Sequence, residues 1–114
     1  MHEISVLHKA VELAEQTAHD NGIERISYIT LEVGELSGYL PVFFEKYFPL
    51  VIENRPVCKD AKLKMIIARG EALCLECGAM YNVMIQEGRC PKCGSRSKKI
   101  LGGRQFLLKE IGYE

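Results

Sequence analysis

Four of the five cysteines fall into two short pairs with the spacing of a metal site. Cys74 and Cys77 form one C-x2-C pair, Cys90 and Cys93 form the other, and a glycine follows each pair. Each pair can make a tight turn that presents two sulfurs from one side, and the glycine permits a positive φ. Two such turns facing each other complete a tetrahedral four-sulfur site. Structural zinc is the first expectation for this site, because zinc favours closed four-cysteine coordination.

Other uses of the cysteines stay open on spacing alone. Iron in the same sulfur cage would give a rubredoxin-like electron carrier, since geometry does not separate iron from zinc. A thiol redox motif fits two matched pairs less well. Cys58 stands outside the quartet, and we expect it to be a small buried hydrophobic residue or an inert thiol.

The amino terminus is a second place where residue type and position suggest metal chemistry. The amine of Met1, the amide nitrogen of His2 and the imidazole Nδ1 of His2 can close two chelate rings around one ion and leave a fourth planar position open. Square-planar nitrogen coordination suits Ni(II) and Cu(II). Glu3 could supply an oxygen or hold a partner. The alternative, which these residues alone favour, is that His2 is an idle, solvated terminal residue.

Length and composition limit the functions that the chain can have. Its 114 residues are 47% hydrophobic and 26% charged, which suits one globular domain carrying a smaller module. No apolar run approaches the ~20 residues of a membrane-spanning helix. The first residues lack a secretory signal pattern, so the cytoplasm is the expected location. Fifteen bases balance fifteen acids, which argues against a polyanion binder.

Few other residues suggest chemistry. We find no catalytic triad, phosphate loop or paired-carboxylate motif, and Glu32 and Glu35 are expected to face solvent, so we predict that the chain is not an enzyme. His8 is expected to flank the buried face of a helix and His19 to interact with that helix's dipole. The basic run from Arg89 to Arg104 is interpreted as a solvated or protein-docking face.

Hydrophobic periodicity predicts the elements that must position these sites. An amphipathic helix should run from the first residues to Asn21, and a second should begin at Pro41, with a kink or break at Pro49 before Leu50. Strands are predicted over residues 25–33, 61–68 and 104–111. The fold class is therefore α/β: a small three-stranded sheet with two helices, plus an inserted four-cysteine, zinc-ribbon-like lobe.

The cysteine segment enters from one predicted strand and returns into the next. It is therefore interpreted as an insertion at the tip of an antiparallel pair formed by residues 61–68 and 104–111. The first strand, the second helix and the next strand would form a right-handed crossover. We predict one α/β domain of residues 1–69 with 103–114, and a zinc-binding domain of residues 70–102.

Three motifs in order resemble the HypA/HybF hydrogenase nickel-incorporation family. They are the start Met-His-Glu-Ile-Ser, the strand end Leu31-Glu32-Val33-Gly34 followed by Leu36-Ser37, and C-x2-C-x12-C-x2-C. The resemblance implies a nickel metallochaperone that helps to insert nickel into the large-subunit precursor of [NiFe]-hydrogenase. It also implies a nickel-binding accessory GTPase as partner and, in some members, a contribution to urease maturation with a urease accessory protein.

The resemblance also implies roles for individual residues. His2 matches the family's nickel ligand, and Glu3 matches the acidic residue beside it. Four cysteines match its zinc ligands: Cys74, Cys77, Cys90 and Cys93. The transferred Ni(II) and the structural Zn(II) would then occupy separate sites in the α/β domain and the inserted lobe. The alternative kept from the residues themselves is a zinc-ribbon module that binds nucleic acid or a protein complex.

Overall fold

The computed structural model describes residues 2–113, and side chains from Glu3 onward. Its elements in chain order are α1 (His2–Asp20), β1 (Ile26–Gly34), α2 (Pro41–Val51), a short 3-10 helix (Pro56–Cys58), β2 (Lys62–Ala68), β3 (Glu71–Cys74), β4 (Met80–Asn82), β5 (Lys98–Gly102) and β6 (Phe106–Tyr113). Neither α1 nor α2 is long and apolar enough to cross a membrane. The two helices and the three longer strands begin within two residues of their predicted starts.

Two three-stranded sheets organise the chain. The first has the order β2-β1-β6, with β1 parallel to β2 and antiparallel to β6, and the second has the order β4-β3-β5 with antiparallel pairs. The parallel pairing of β1 and β2 through α2 agrees with the predicted crossover connection. The cysteines belong to the second sheet and its turns, so the predicted fold class, a helical α/β unit with an inserted cysteine lobe, is confirmed.

The core of the first unit forms where the helices meet the sheet. The buried stripe of α1 follows the predicted three- and four-residue steps and includes Leu7, Val11 and Ala14. Phe44 of α2 is fully buried and stacks on Phe106 of β6, with ring centroids 5.1 Å apart. Because this core packs both helices against the sheet, it fixes the start of α1 relative to the start of α2.

The pairing predicted for the strands on either side of the lobe is wrong. The chain leaves the first sheet through β2 and returns through β6, but these strands do not pair with each other, because β1 lies between them. The side chains of β1 explain its central place: Ile26, Ile29, Leu31 and Val33 are all buried, as suits a strand with neighbours on both sides. The lobe therefore projects from two separate strands.

The predicted break at Pro49 is also wrong, because α2 continues to Val51. Pro49 lies in the last turn, so its missing N–H removes only the bond to the Glu45 carbonyl. The N–H of Ile52 bonds the Phe48 carbonyl at 3.1 Å, which restores the helical pattern beyond the proline. A proline so close to the end of a helix costs little of its hydrogen bonding.

Close backbone packing joins the two sheets where β1 ends. A Cβ atom on Gly34 would lie 2.0 Å from the carbonyl oxygen of Gly103, and one on Gly103 would lie 2.6 Å from the Cα of Gly70. The N–H of Leu36 donates to the same Gly103 carbonyl at 2.6 Å. Both crossings between the sheets therefore pass against the end of β1, and only glycine leaves room for them.

This packing predicts a site-specific penalty. Gly34→Ala should lower the free energy of unfolding by at least about 2 kcal/mol, because the added methyl group overlaps a backbone atom that cannot move alone. Chemical denaturation measures the loss. Gly102→Ala is the control, since a Cβ there meets nothing within 4 Å. Equal stabilities of the two variants would contradict the proposed packing.

Candidate metal centre

Two backbone turns bring the cysteine pairs together. The N–H of Gly78 donates to the Cys74 carbonyl at 2.9 Å, and the N–H of Gly94 donates to the Cys90 carbonyl at 2.8 Å. Gly78 and Gly94 have φ values of 78° and 77°, which confirms the positive φ predicted after each pair. The two turns have the same geometry, and each points two side chains toward the other.

The four sulfur atoms form a compact cluster that fits a zinc ion. The Sγ atoms of Cys74 and Cys93 are 3.5 Å apart, as are those of Cys77 and Cys90, and all four lie within 4.8 Å of one another. None of them is in a disulfide. Tetrahedral zinc with Zn–S bonds of about 2.3 Å needs sulfurs about 3.8 Å apart. The spacing therefore matches a zinc–thiolate site.

Backbone amides favour thiolates at two of these positions. The N–H of Cys77 lowers the pKa of Cys74, and the N–H of Cys93 lowers the pKa of Cys90 to about 6. The N–H of Ser95 also lowers the pKa of Cys93, but hydrogen bonds with the neighbouring thiols outweigh it and raise that pKa to about 12. Four thiolates can therefore form together only if a cation compensates their charge.

The hydrophobic core of the lobe is too small to replace that cation. Its fully buried residues are Ala72, Cys74, Tyr81 and Cys90, so half of them are cysteines of the cluster. Burial and the nearby sulfurs raise the pKa of the Tyr81 hydroxyl. Below about 40 residues, domains usually need a metal, disulfides or association to stay folded. The sulfur cluster is therefore where this lobe can gain its stability.

Cys58 lies away from the cluster, as expected. Its side chain is fully buried in the core of the first unit, beside the short 3-10 helix. Burial raises the pKa of its thiol to about 11, and the charge of Glu15 adds to the effect. A protonated, inaccessible thiol is neither a ready metal ligand nor a nucleophile. The interpretation of Cys58 as a small buried hydrophobic residue is confirmed.

The proposed nickel ligands lie mostly outside the described part of the chain. Met1 and the side chain of His2 are not described, whereas Glu3 is buried at the start of α1. The N–H of Leu40, the residue before α2, donates to Glu3 Oε2 at 3.3 Å. The N–H of Glu3 itself and that of Leu40 lower the pKa of the Glu3 carboxyl. Glu3 thus links the beginnings of the two helices.

The other histidines have structural surroundings. His8 is half-buried, as expected for the flank of the helix, with Nδ1 3.2 Å from Nη2 of Arg55. Arg55 also forms an ion pair with Glu15. His19 is exposed in the last turn of α1, where a protonated imidazole would interact favourably with the helix dipole.

Sequence reasoning missed the part that Glu35 plays. Rather than facing solvent, Glu35 Oε1 accepts hydrogen bonds from the Gly70 N–H at 2.8 Å and the Asn82 side-chain amide at 3.0 Å. The Gly70 N–H, the Asn82 amide and the charge of Arg69 lower the pKa of the carboxyl. Glu35 therefore holds the cysteine lobe against the end of β1. No local pattern indicates this contact, because Asn82 is 47 residues away.

Glu32 is also engaged. Its Oε2 atom accepts a hydrogen bond from the Gln105 side chain at 3.0 Å, and its Oε1 atom lies 3.6 Å from Nζ of Lys109. It is half-buried on β1, so the expectation of a solvent-facing acid was wrong here too. Both partners belong to the segment that returns from the lobe, which strengthens the attachment of β6 to β1.

Comparison with known proteins places this arrangement in a family. The family model described as "Hydrogenase/urease nickel incorporation, metallochaperone, hypA" matches residues 1–113. The chain belongs to the HypA family. The resemblance found in the three sequence motifs is therefore confirmed over the whole matched length.

Individual relatives and solved structures agree with the family match. The hydrogenase maturation factor HypA of Campylobacter jejuni is 34% identical over 97% of both chains, and that of Dechloromonas aromatica is 31% identical over 100% of both. The solution structure of the Ni metallochaperone HypA from Helicobacter pylori gives a TM-score of 0.67, at 28% identity over 97% of this chain and 96% of that one. Another HypA solution structure gives 0.71, at 29% identity over 100% and 97%.

The cluster predicts that the lobe folds only with its metal. Cys74→Ser or Cys93→Ser should abolish stoichiometric zinc binding and unfold the lobe, because apparent zinc binding energies at such sites are on the order of 10 kcal/mol. Metal analysis and amide exchange of residues 70–102 measure both effects. Cys58→Ala is the control, and it should keep its zinc. A quartet variant with full zinc content and a protected lobe would contradict the assignment.

The Glu35 contact predicts a pH-dependent stability difference. Its folded pKa is lowered from the ordinary 4.5, so the charged carboxylate stabilises the fold above that value and the contribution disappears as the pH falls below it. Glu35→Gln should therefore be less stable than the original protein at neutral pH. The difference should shrink from about pH 5 to pH 3, and denaturant titrations of both proteins measure it. A constant difference would show that charge is not what matters.

Proposed function

We propose that the chain is a nickel metallochaperone that carries Ni(II) at its amino terminus and delivers it during maturation of [NiFe]-hydrogenase. Membership of a nickel-incorporation family supports this function, and the separation of two kinds of metal site supports its mechanism. In this proposal the first unit, residues 1–69 with 103–114, handles nickel. The lobe, residues 70–102, is stabilised by zinc. The protein transfers a metal and does not turn over a substrate.

The sulfur cluster is the observation that carries the proposal. A site with four cysteine ligands is closed and has no vacant position through which an ion could be passed on. In the part of the chain that the structure describes, these cysteines are also the one group of three or more metal-ligating side chains close enough to share an ion. The cargo therefore needs a different site, and the terminal residues offer the ligands.

The chemistry of the terminus suits a transferable nickel ion. The Met1 amine, the His2 amide and the His2 Nδ1 supply three nitrogen atoms in one plane, a geometry that nickel(II) accepts. The His2 amide belongs to the first helical turn, where N–H groups have no partner within the helix, so its use as a ligand breaks no helical hydrogen bond. A fourth position stays available to a receiving protein.

Glu3 has two roles in this proposal. It is the acidic neighbour of the nickel ligands, and its contact with Leu40 holds the start of α1 beside the start of α2. A terminus anchored in this way loses less conformational entropy when it closes around an ion. Glu3 would thus position Met1 and His2 and leave the three nitrogen ligands unchanged.

The partners follow from the same proposal. The nickel acceptor would be the hydrogenase large-subunit precursor, acting with a nickel-binding accessory GTPase. The family description also names urease, so a urease accessory protein is a further candidate partner. The cytoplasm is the proposed location. The nucleic-acid alternative has no support from the relatives, which are named for hydrogenase maturation.

His2→Ala tests the nickel site without disturbing the fold. The loss of outer-shell partners alone typically costs roughly 10–100-fold in metal affinity, so loss of a ligand should weaken nickel binding at least tenfold. His19→Ala is the matched control on the same helix, and both variants should keep their zinc. Nickel titration of untagged protein measures the affinity, since a tag would bury the terminal amine within a longer chain.

Delivery is measured in a reconstituted maturation assay. At limiting nickel the His2→Ala protein should not increase nickel loading of the hydrogenase, and excess nickel should partly bypass the defect. Glu3→Gln should keep the nitrogen ligands and affect transfer more than binding. Normal delivery by His2→Ala at limiting nickel would refute the mechanism, whatever metal the cysteines hold.

A further inference from the structure

The outer edge of β2 has the features of a strand that pairs with another chain. β2 lies at one end of the order β2-β1-β6, and its seven residues pair with β1 without any register shift. No proline or glycine interrupts it. Within the described residues its outer backbone groups face no further strand. Regular, uninterrupted edges of this kind are templates for pairing.

The opposite edge of the sheet is protected, which makes the contrast informative. In β6, Glu110 faces Thr30 and Leu108 faces Leu31, so Lys109 is left over as a bulge in the middle of the strand. A bulge and a lysine are two devices that block edge pairing. A molecule that associates through β2 therefore has no second regular edge in this sheet from which to continue.

The side chains of β2 are unusually apolar for an exposed edge. Ile66 is 45% exposed on the open face of the sheet, and Ile67 is 46% exposed on the helix side. Lys64 would normally protect this edge, but its Nζ atom lies 3.7 Å from the ring centroid of Tyr28 on the inner strand. The Tyr28 hydroxyl is itself held by Glu110 at 3.1 Å. The Lys64 charge therefore points inward, away from the edge.

The order of residues makes β2 complementary to itself. In an antiparallel pair, residues directly opposite lie on the same face, so two copies related by a two-fold axis must centre on one residue. Full overlap of Lys62–Ala68 centres on Met65. Ile66 then faces the aliphatic part of Lys64, Lys62 faces Ala68, and Leu63 faces Ile67 on the other side. No like charges face each other in this register.

Self-pairing of β6 lacks this property. Its two longest registers that keep each face in place centre on Lys109 or on Glu110, and each sets identical charges directly opposite one another. Such pairs are destabilising. The charge order thus selects β2, and the same order favours a second copy of this chain over a strand of unrelated sequence.

We propose that β2 pairs with β2 of a second copy in the register centred on Met65. The result is a two-fold dimer with a continuous six-stranded sheet in the order β6-β1-β2-β2-β1-β6. The bulges at the two outer β6 strands stop growth at two chains. This dimer lies beyond the proposed nickel function and does not depend on it, since neither the terminus nor the cysteine cluster takes part.

Charge placement across the pair gives a specific test by sedimentation equilibrium. Untagged, zinc-loaded and nickel-free protein should show a concentration-dependent monomer–dimer equilibrium. Ile66→Lys sets two lysines opposite the two Lys64 side chains, so it should raise the dimer dissociation constant at least about tenfold. Its fold should survive, because the introduced lysine would face Glu32 within its own chain.

Two further variants identify the surface and the register. Leu107→Lys is the matched control, since Leu107 flanks the same Glu32 from the other edge and is similarly exposed at 40%. It should leave the dimer intact. Adding Lys64→Glu to Ile66→Lys sets opposite charges across the pair and should restore association.

The outcomes separate clearly. A monomer at all concentrations would overturn the proposal, and so would a dimer that survives Ile66→Lys or is lost equally in Leu107→Lys. A folded double variant that stays monomeric would overturn the register and the proposal with it. Retention of the dimer in His2→Ala protein is expected, and its loss there would assign association to the terminus instead. The nickel proposal is unaffected by any of these results.

Discussion

The charge compensation of four clustered sulfurs is the constraint on which the rest of this structure depends. The four Sγ atoms lie within 4.8 Å of one another, and the lobe around them has few other buried groups. The lobe also interrupts the first sheet between β2 and β6. Stacking of Phe106 on Phe44, and the bonds of Glu32 to its partners on the returning segment, therefore require the chain to come back at the right place. Closing the sulfur site shortens the effective loop that β6 must close.

A second consequence is a division of labour between metal sites. A saturated sulfur cage holds its ion, whereas a nitrogen site with an open position can exchange one. The two sites are tied to the ends of one short segment. Glu35 contacts the lobe through Gly70 and Asn82, and Leu40 contacts Glu3 at the start of α1. The structure therefore sets the position of the lobe and the start of α1 from the same turn after β1.

Local patterns predicted much of this arrangement because the corresponding physics is local. The α1 stripe, the glycine turns after the cysteine pairs and the burial of Cys58 all follow from periodicity or residue type within a few positions. The order of the strands did not, because the place of β1 between β2 and β6 depends on which strand buries most surface. The tolerated Pro49 depends on where α2 ends, which local pattern leaves uncertain by several residues. Glu35 was missed because its partner is far away in sequence.

The central claim is that nickel and zinc occupy different ligand sets, and nickel K-edge X-ray absorption of untagged, zinc-loaded protein tests it most directly. The account predicts a four-coordinate planar nickel with nitrogen and oxygen neighbours, including imidazole scattering, and zinc that keeps four sulfur neighbours after nickel is added. Sulfur neighbours around nickel, with zinc displaced in proportion, would contradict it, because the cargo would then be using the cysteine cluster.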